Sequence, residues 1–304
     1  MADRDDLRCA FIAVVGAPNV GKSTLVNRLV GAKVSIVSPK VQTTRARVMG
    51  ICIRGQTQLV FIDTPGIFRP RRRLDRAMVA AAWGGAGDAD RIVLLVDSAK
   101  GIDADTRNIV GRLKEGGKGR PGTVLALNKI DLVKKQALLE LAGELDGEGV
   151  FVEIFMISAH TGDGVDALAA RLADEAPQGP WHFPAEQISD MPQRLLAAEI
   201  TREKMYLQLR QELPYAATVE TEEWEEKEDG SVVIRQVVYI ERPSQKAIVL
   251  GHGGKRIKSL GETARQELEE ILERRVHLFL FVKVREKWGE DPERYRQWGL
   301  DFNS

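Results

Sequence analysis

The chain has 304 residues, 43% of them hydrophobic and 29% charged, enough for two domains of ordinary size with real cores. Its 44 basic and 44 acidic residues cancel, which excludes a global field that would drive it onto nucleic acid or anionic membrane; any such binding comes from local patches. Two cysteines, Cys9 and Cys52, exclude a disulfide framework and a cysteine-rich metal centre, and both read as small core residues of a reducing compartment.

The start, Met1-Ala2-Asp3-Arg4-Asp5-Asp6, is polar and acidic, so no signal peptide is expected. No apolar stretch approaches the roughly 20 residues of a membrane span, and a cytoplasmic protein is expected.

The apolar run Phe11 to Val15 predicts a buried strand, and Leu25 to Val30 has helical periodicity. Between them lies Gly16-Ala17-Pro18-Asn19-Val20-Gly21-Lys22-Ser23-Thr24. Strand, glycine-rich loop and helix in this order are what a phosphate-binding loop requires. Gly16 and Gly21 let the backbone curl so that several N–H groups meet one anion. Lys22 reaches the β- and γ-phosphates, and the Ser23 hydroxyl can ligate Mg²⁺. This stretch binds a nucleoside triphosphate.

Gly31 to Thr44 reads as irregular and ends in Gln42-Thr43-Thr44-Arg45. Two strands are predicted next, Arg47 to Ile53 and Gln58 to Ile62, turning at Gly55-Gln56. The second runs into Asp63-Thr64-Pro65-Gly66. An Asp at the end of a buried strand, followed by a Gly whose N–H turns toward the γ-phosphate, is the usual second half of a phosphate-transfer site. Further strands are predicted at Arg91 to Val96, Thr123 to Leu127 and Phe151 to Ile157. The middle one ends in Asn128-Lys129-Ile130-Asp131, which decides the base. The Asp131 carboxylate accepts from guanine N1–H and N2–H together, whereas adenine offers no such pair. Asn128 and the stem of Lys129 steady the loop and cover the purine, and a backbone N–H of Ser158-Ala159 is expected to donate to guanine O6.

Helical stretches at Ala104 to Glu115, Lys134 to Asp146 and Gly164 to Glu175 alternate with these strands. The fold class is therefore α/β, with a doubly wound, mostly parallel sheet and its motifs at strand C-termini. Two positions bear on hydrolysis. Ile67 stands where signalling GTPases carry a water-orienting Gln, so turnover is expected to be slow unless main chain, cation or partner supplies that function. Asn19 has two readings, a ligand of a monovalent cation beside the phosphates or a residue that shapes the loop. The basic run Arg69-Pro70-Arg71-Arg72-Arg73 reads as a solvated loop, with contact to phosphate as the alternative.

Ala176 to Pro184 breaks helical pattern repeatedly and reads as a linker. A helix is predicted over Pro192 to Gln211, then two strands, Tyr215 to Glu226 and Val232 to Glu241, joined at Asp229-Gly230. The hairpin tip is acidic and reads as solvated. From Arg242 to Lys258 the only charges are basic. Inside that window an apolar segment, Ala247 to Leu250, read as a strand, enters Gly251-His252-Gly253-Gly254, and a basic amphipathic helix leaves through Lys255, Arg256 and Lys258 toward Leu272. A Gly-x-x-Gly loop flanked by Leu250 and Ile257 reads as a KH module for single-stranded nucleic acid. A closing strand, Val276 to Val284, follows.

On these motifs, and on Ala198-Glu199-Ile200-Thr201-Arg202-Glu203-Lys204, the chain resembles the Era family of bacterial GTPases over nearly its whole length. The resemblance implies an Era-type G domain over 1–176, a linker over 177–191 and a small α+β type II KH domain with a tail over 192–304. It implies GTP hydrolysis, binding of 16S ribosomal RNA near its 3′ end, and assistance to maturation of the 30S subunit by a monomer whose GTP state binds RNA. In this switch the γ-phosphate and Mg²⁺ order Gly31 to Thr44 and the loop after Gly66. By position Ser23 and one threonine of the Thr43-Thr44 pair, with Thr44 favoured, hold Mg²⁺; Asp63 stands behind them. Relatives with Asn in the phosphate loop use K⁺, which favours the cation reading of Asn19 and places it with Lys22, Thr44 and Gly66 in the catalytic set. Peripheral inner-membrane association is described for the family. The chain departs from the family at Trp83 to Gly87 and Gly116 to Gly119, where glycines are expected to loosen helix ends. The same residues also fit a nucleotide-gated regulator that acts through protein partners, with hydrolysis incidental.

Overall fold

The computed structural model describes residues 6–40, 43–115, 122–210 and 212–304. Met1 to Asp5 of the acidic start, Gln42, the Gly116 to Gly119 stretch and Gln211 lie outside the described residues. The chain divides into two units, one made of 1–35, 44–190 and 295–304, the other of 36–43 and 191–294.

The first unit is built on β1 (Arg8–Val15), β2 (Val48–Arg54), β3 (Thr57–Asp63), β4 (Arg91–Asp97), β5 (Thr123–Asn128) and β6 (Phe151–Met156). They form one sheet in the order β2-β3-β1-β4-β5-β6, parallel except for the antiparallel β2–β3 pair. Ile12 to Val15 are fully buried, as expected of a central parallel strand covered on both faces. On one face α1 (Lys22–Val30) contributes Leu25, Val26 and Leu29, and α5 (Val165–Asp174) contributes Leu168, Ala169 and Leu172. On the other face α2 (Arg73–Gly87) packs Ala82 and Ala86, α3 (Ala104–Glu115) Ile109 and Leu113, and α4 (Lys135–Asp146) Leu141 and Leu145. This is the doubly wound α/β sheet read from the sequence.

The glycines of Trp83 to Gly87 do not loosen α2, which stays helical through Gly87. At Gly85 an added Cβ would sit 3.5 Å from the Ile62 side chain and 3.7 Å from that of Thr64, an ordinary contact distance, so the packing of this face does not depend on the glycine. The basic run is exposed at the head of α2, where the N–H groups of Arg71 and Arg72 donate to the Asp75 carboxylate at 3.0 Å each. Arg73 lies over the Phe302 ring, 4.4 Å from its centroid.

The proline-rich segment after α5 lies along the first unit. Cys9 N–H donates to Pro177 O, Gly179 N–H to Leu7 O, and Trp181 Nε1–H to Gln56 O. Ile51 N–H then reaches Ile188 O, so the segment covers part of the β2 edge that would otherwise stand unpaired.

The second unit runs α6 (Gln193–Gln208), β7 (Ala217–Glu226), β8 (Val232–Ile240), α7 (Pro243–Leu250), α8 (Lys255–Leu272) and β9 (Val276–Val284), followed by α9 (Pro292–Gln297), whose last residues belong to the first unit. The sheet is β7-β8-β9, with β7–β8 antiparallel and β8–β9 parallel. An α-β-β-α-α-β order with this mixed sheet is the type II KH arrangement.

The apolar segment read as a strand before the glycine loop is the helix α7. Pro243 at its first turn is pre-set for a helix, and the Gln245 side-chain carbonyl accepts the N–H groups of Glu241 and Arg242 at 2.9 Å each. Four apolar residues in a row are too few for periodicity to separate the two outcomes. The hairpin turn forms as read: Gly230 takes φ +80°, and Asp229 accepts from the Ser231 N–H and hydroxyl. Helix α6 owes its weak apolar pattern to buried polar groups. Arg202 pairs with Glu199 and donates to Thr43 O at 2.5 Å, and Thr201 donates to Gln236 at 2.6 Å.

Candidate nucleotide site and nucleic-acid interface

The nucleotide site gathers where β1, β3, β4 and β5 end. The loop after β1 needs left-handed backbone at Gly16 (φ +153°), Asn19 (φ +63°) and Gly21 (φ +102°). A Cβ on Gly16 would lie 2.5 Å from Leu95 O, and one on Gly21 would lie 2.4 Å from Asn128 Nδ2, so both positions demand glycine. Asn is among the few other residues that enter this region cheaply, so Asn19 shapes the loop whatever else it does.

Lys22 is buried, and its Nζ donates back to Gly16 O (3.1 Å) and Ala17 O (3.0 Å) across the loop mouth. Burial lowers its ammonium pKa to about 8, although the Asp63 carboxylate nearby raises it. Asp63 is wholly buried at the end of β3, and burial pushes its carboxyl pKa up. Its Oδ2 accepts from the hydroxyls of Ser35 (2.6 Å), Ser23 (2.7 Å) and Thr44 (3.5 Å), while Ser23 Oγ and Thr44 Oγ1 lie 2.9 Å apart. Its Oδ1 is buried with no partner. An orphaned carboxylate oxygen beside converging hydroxyls is a set of hard oxygen donors of the kind that would fit Mg²⁺. Of the threonine pair it is Thr44 that sits here; Thr43 Oγ1 bonds Lys40 O and the Ser38 hydroxyl.

Gly66 lies against the tip of the phosphate loop, where a Cβ would come within 3.0 Å of Pro18. The next N–H, that of Ile67, donates to Gly16 O at 3.0 Å, and the Ile67 side chain is buried in the core with Ile62 and Ala82. It faces away from the site, so the missing Gln is not replaced by an apolar group aimed at water.

Asn128 acts as a crossbar. Its Nδ2 donates to Val20 O (2.7 Å) in the phosphate loop, and its Oδ1 accepts the Ala159 N–H (2.8 Å). The backbone N–H groups of the Ser158-Ala159 pair, expected to face guanine O6, lie beside this crossbar. Ala159 N–H is engaged by Asn128, and Ser158 N–H by Asp163 O. Lys129 (φ +66°) donates to Asn19 O (2.9 Å) and pairs with Asp97 (2.6 Å). Asp131 is exposed on the single 3₁₀ turn Ile130–Leu132. Thr64, from the Asp63 to Gly66 motif, donates to Val14 O at 2.8 Å and ties the end of β3 to β1.

Two residues here carry no mark in the sequence reading, Ser35 and Asp97. Asp97 ends the buried strand β4 as Asp63 ends β3, which is a signal that could have found it; Ser35 lies in an irregular segment and has none.

In the second unit the glycine loop joins α7 to α8. Gly251 (φ +70°), Gly253 (φ +58°) and Gly254 (φ +75°) all have left-handed φ. An added Cβ at Gly253 or Gly254 would meet nothing within 4 Å, so this part of the loop is open to an approaching backbone. His252, Lys255, Arg256 and Lys258 are exposed, and the first turn of α8 holds no acid. The positive helix end and its cations thus point at one open surface.

Together the sheet, the phosphate loop and the Asn-Lys-x-Asp crossbar define a guanine-nucleotide-binding P-loop protein with a second unit of KH type. Family models agree: a 50S ribosome-binding GTPase model matches residues 11–129, and a KH domain model matches residues 212–289. GTPase Era of Rhizobium meliloti (strain 1021) is 61% identical over 295 residues, covering 97% of this chain and 93% of that one. GTPase Era of Brucella melitensis biotype 1 is 60% identical, covering 97% and 94%. A crystal structure of Era with MgGDPNP and nucleotides 1506–1542 of 16S ribosomal RNA superposes with a TM-score of 0.90 at 38% identity, covering 96% of this chain and 99% of that one. The chain belongs to the GTPase Era family, and it is a GTP-hydrolysing enzyme.

Proposed function

We propose that the chain is a GTP-driven switch that binds the 3′ region of 16S ribosomal RNA through Gly251 to Lys258 and assists maturation of the 30S subunit. The observation that carries it is the open, acid-free glycine loop at the head of α8, in a chain that also holds a complete nucleotide site. The relative crystallised with 16S nucleotides 1506–1542 supports the same reading. In this account Lys22 grips the β- and γ-phosphates, and Ser23 and Thr44 hold Mg²⁺ with Asp63 behind them. Gly66 meets the γ-phosphate, and Asp131 reads guanine. The bound metal supplies charge neutralisation on the phosphates. The protein acts as a monomer in the cytoplasm with peripheral inner-membrane association. Among the described residues no helix is long and apolar enough to cross a membrane.

Turnover measured with and without RNA of nucleotides 1506–1542 tests this reading. Slow hydrolysis that the RNA accelerates supports it, and hydrolysis that stays slow with RNA bound favours the nucleotide-gated regulator.

The potassium role of Asn19 is part of the proposal. Because Asn19 sits at φ +63°, Asn19→Gly removes the side chain without straining the loop. Stimulation of turnover by K⁺ over Na⁺ is expected to disappear in Asn19→Gly protein while GTP affinity stays within about threefold of wild type, a change near the size of ordinary surface effects. Persisting stimulation leaves Asn19 as a loop-shaping residue alone.

A further inference from the structure

Beside the glycine loop the second unit contains a cavity of ≈ 640 Å³, lined by Arg210, Glu212, Leu213, Gln245, Ile248 and Arg256 among others. That volume suits a nucleotide-sized ligand. Its apolar surface comes from Leu213, which is buried, and from Ile248, half exposed on α7. Two guanidinium groups, the two carboxamides of Gln208 and Gln245 and one carboxylate surround that surface. The Gln245 carbonyl is engaged by the N–H groups of Glu241 and Arg242, so its amide N–H groups are the ones left for a ligand.

Arg256 links this cavity to the glycine loop. Its Nη1 donates to Ile248 O at 2.5 Å, on the last turn of α7, and its Cβ fills the space that a Cβ on Gly251 would need, at 2.7 Å. A phosphate on the glycine loop and a group in the cavity therefore share one arginine.

We propose that the cavity takes one extruded nucleotide of the bound RNA strand, beyond the roughly four that a KH glycine loop clamps. The inference rests on the RNA-binding reading above. An apolar floor with a planar guanidinium beside it is a stacking site for a base, and the second guanidinium pairs with the adjoining phosphate. Glu212 accepts from an exocyclic amine, so adenine, cytosine and guanine are preferred over uracil. A free inorganic phosphate would leave the apolar floor unused and would meet the Glu212 charge.

Binding and nuclease footprinting of the full chain on RNA of 16S nucleotides 1506–1542 test this, with wild type, Arg210→Ala and Gln245→Ala compared. Arg210 is exposed, and its loss leaves the fold intact. The expected result is a loss of about tenfold in affinity for Arg210→Ala, the size of one lost base-stacking contact. Protection should vanish at one nucleotide and persist at its neighbours, with hydrolysis of GTP in the absence of RNA unchanged. An unchanged footprint overturns the proposal even if affinity falls, because Arg210 then acts only as a phosphate-attracting charge. If wild type binds this RNA and both variants match it within twofold, the cavity holds no RNA and the glycine-loop reading stands. If wild type does not bind it at all, both readings fall together.

Discussion

Asp131→Asn protein is expected to bind GTP about 10²–10³-fold more weakly than wild type, the loss of two charge-assisted hydrogen bonds at about 1.5–3 kcal/mol each, partly offset by what the amide retains. The carboxylate is exposed, on a turn held in place by the Asn128 crossbar and by the Lys129–Asp97 pair. Discrimination therefore arises on binding, when the purine covers Asp131 and only guanine presents N1–H and N2–H to it. Asparagine offers one acceptor and one donor, so the N2–H of guanine loses its partner and meets an N–H. Xanthine, with a carbonyl at that position, becomes the matching base. Titration of Asp131→Asn protein with GTP, XTP and ATP checks this. Selectivity for guanine that survives the substitution contradicts the assignment of the base site.

Lys22→Ala protein should hydrolyse GTP about 10²–10³-fold more slowly, the usual cost of removing one preorganised group that stabilises charge in the transition state. In the structure the ammonium already stands over the loop, on Gly16 O and Ala17 O, so it need not be recruited. Its lowered pKa gives a second readout. Without nucleotide the pKa is about 8, and the phosphates raise it. Below pH 8 both states are protonated and affinity is flat. Above pH 8 the free protein must take up a proton to bind, so affinity falls by about tenfold per pH unit until the bound-state pKa is reached. Calorimetry in buffers of different ionisation enthalpy, at pH 8.5, should report proton uptake in wild type and none at this site in Lys22→Ala. Equal uptake in both separates the ammonium from the phosphates.

These motifs were legible because each is a short run whose chemistry and spacing travel together. Gly16 to Ser23 and Asn128 to Asp131 need no tertiary information beyond a strand before them. The alternation of buried runs with amphipathic segments likewise carried the doubly wound sheet. Ser35 was not legible, because a serine in an irregular segment has no local mark and gains its role only by reaching Asp63 across the fold. The engagement of Ala159 N–H by Asn128 was hidden for the same reason. Helix α7 was misread because an apolar run of four residues carries no period, and its Pro243 and Gln245 start signals lie outside that run. Glycines in α2 suggested a frayed end, yet the helix holds through Gly87 with Gly85 and Ala86 buried on its packed face. The cavity beside α7 depends on residues from the end of α6, the turn before β7, and α7 itself, and no sequence pattern connects them.

The most direct test of the central claim, a GTPase that holds ribosomal RNA through its glycine loop, is in-cell crosslinking of RNA to wild type and to Gly253→Asp. Gly253 has φ +58° and open space where its Cβ would be, so the substitution sets a carboxylate where the proposed RNA contact would place a phosphate. Wild type should capture the 3′ end of small-subunit RNA and Gly253→Asp should lose it, with GTP binding unaltered in both. Equal capture of the same RNA by both proteins would contradict the account, since the Gly251 to Gly254 loop would then not be the RNA contact.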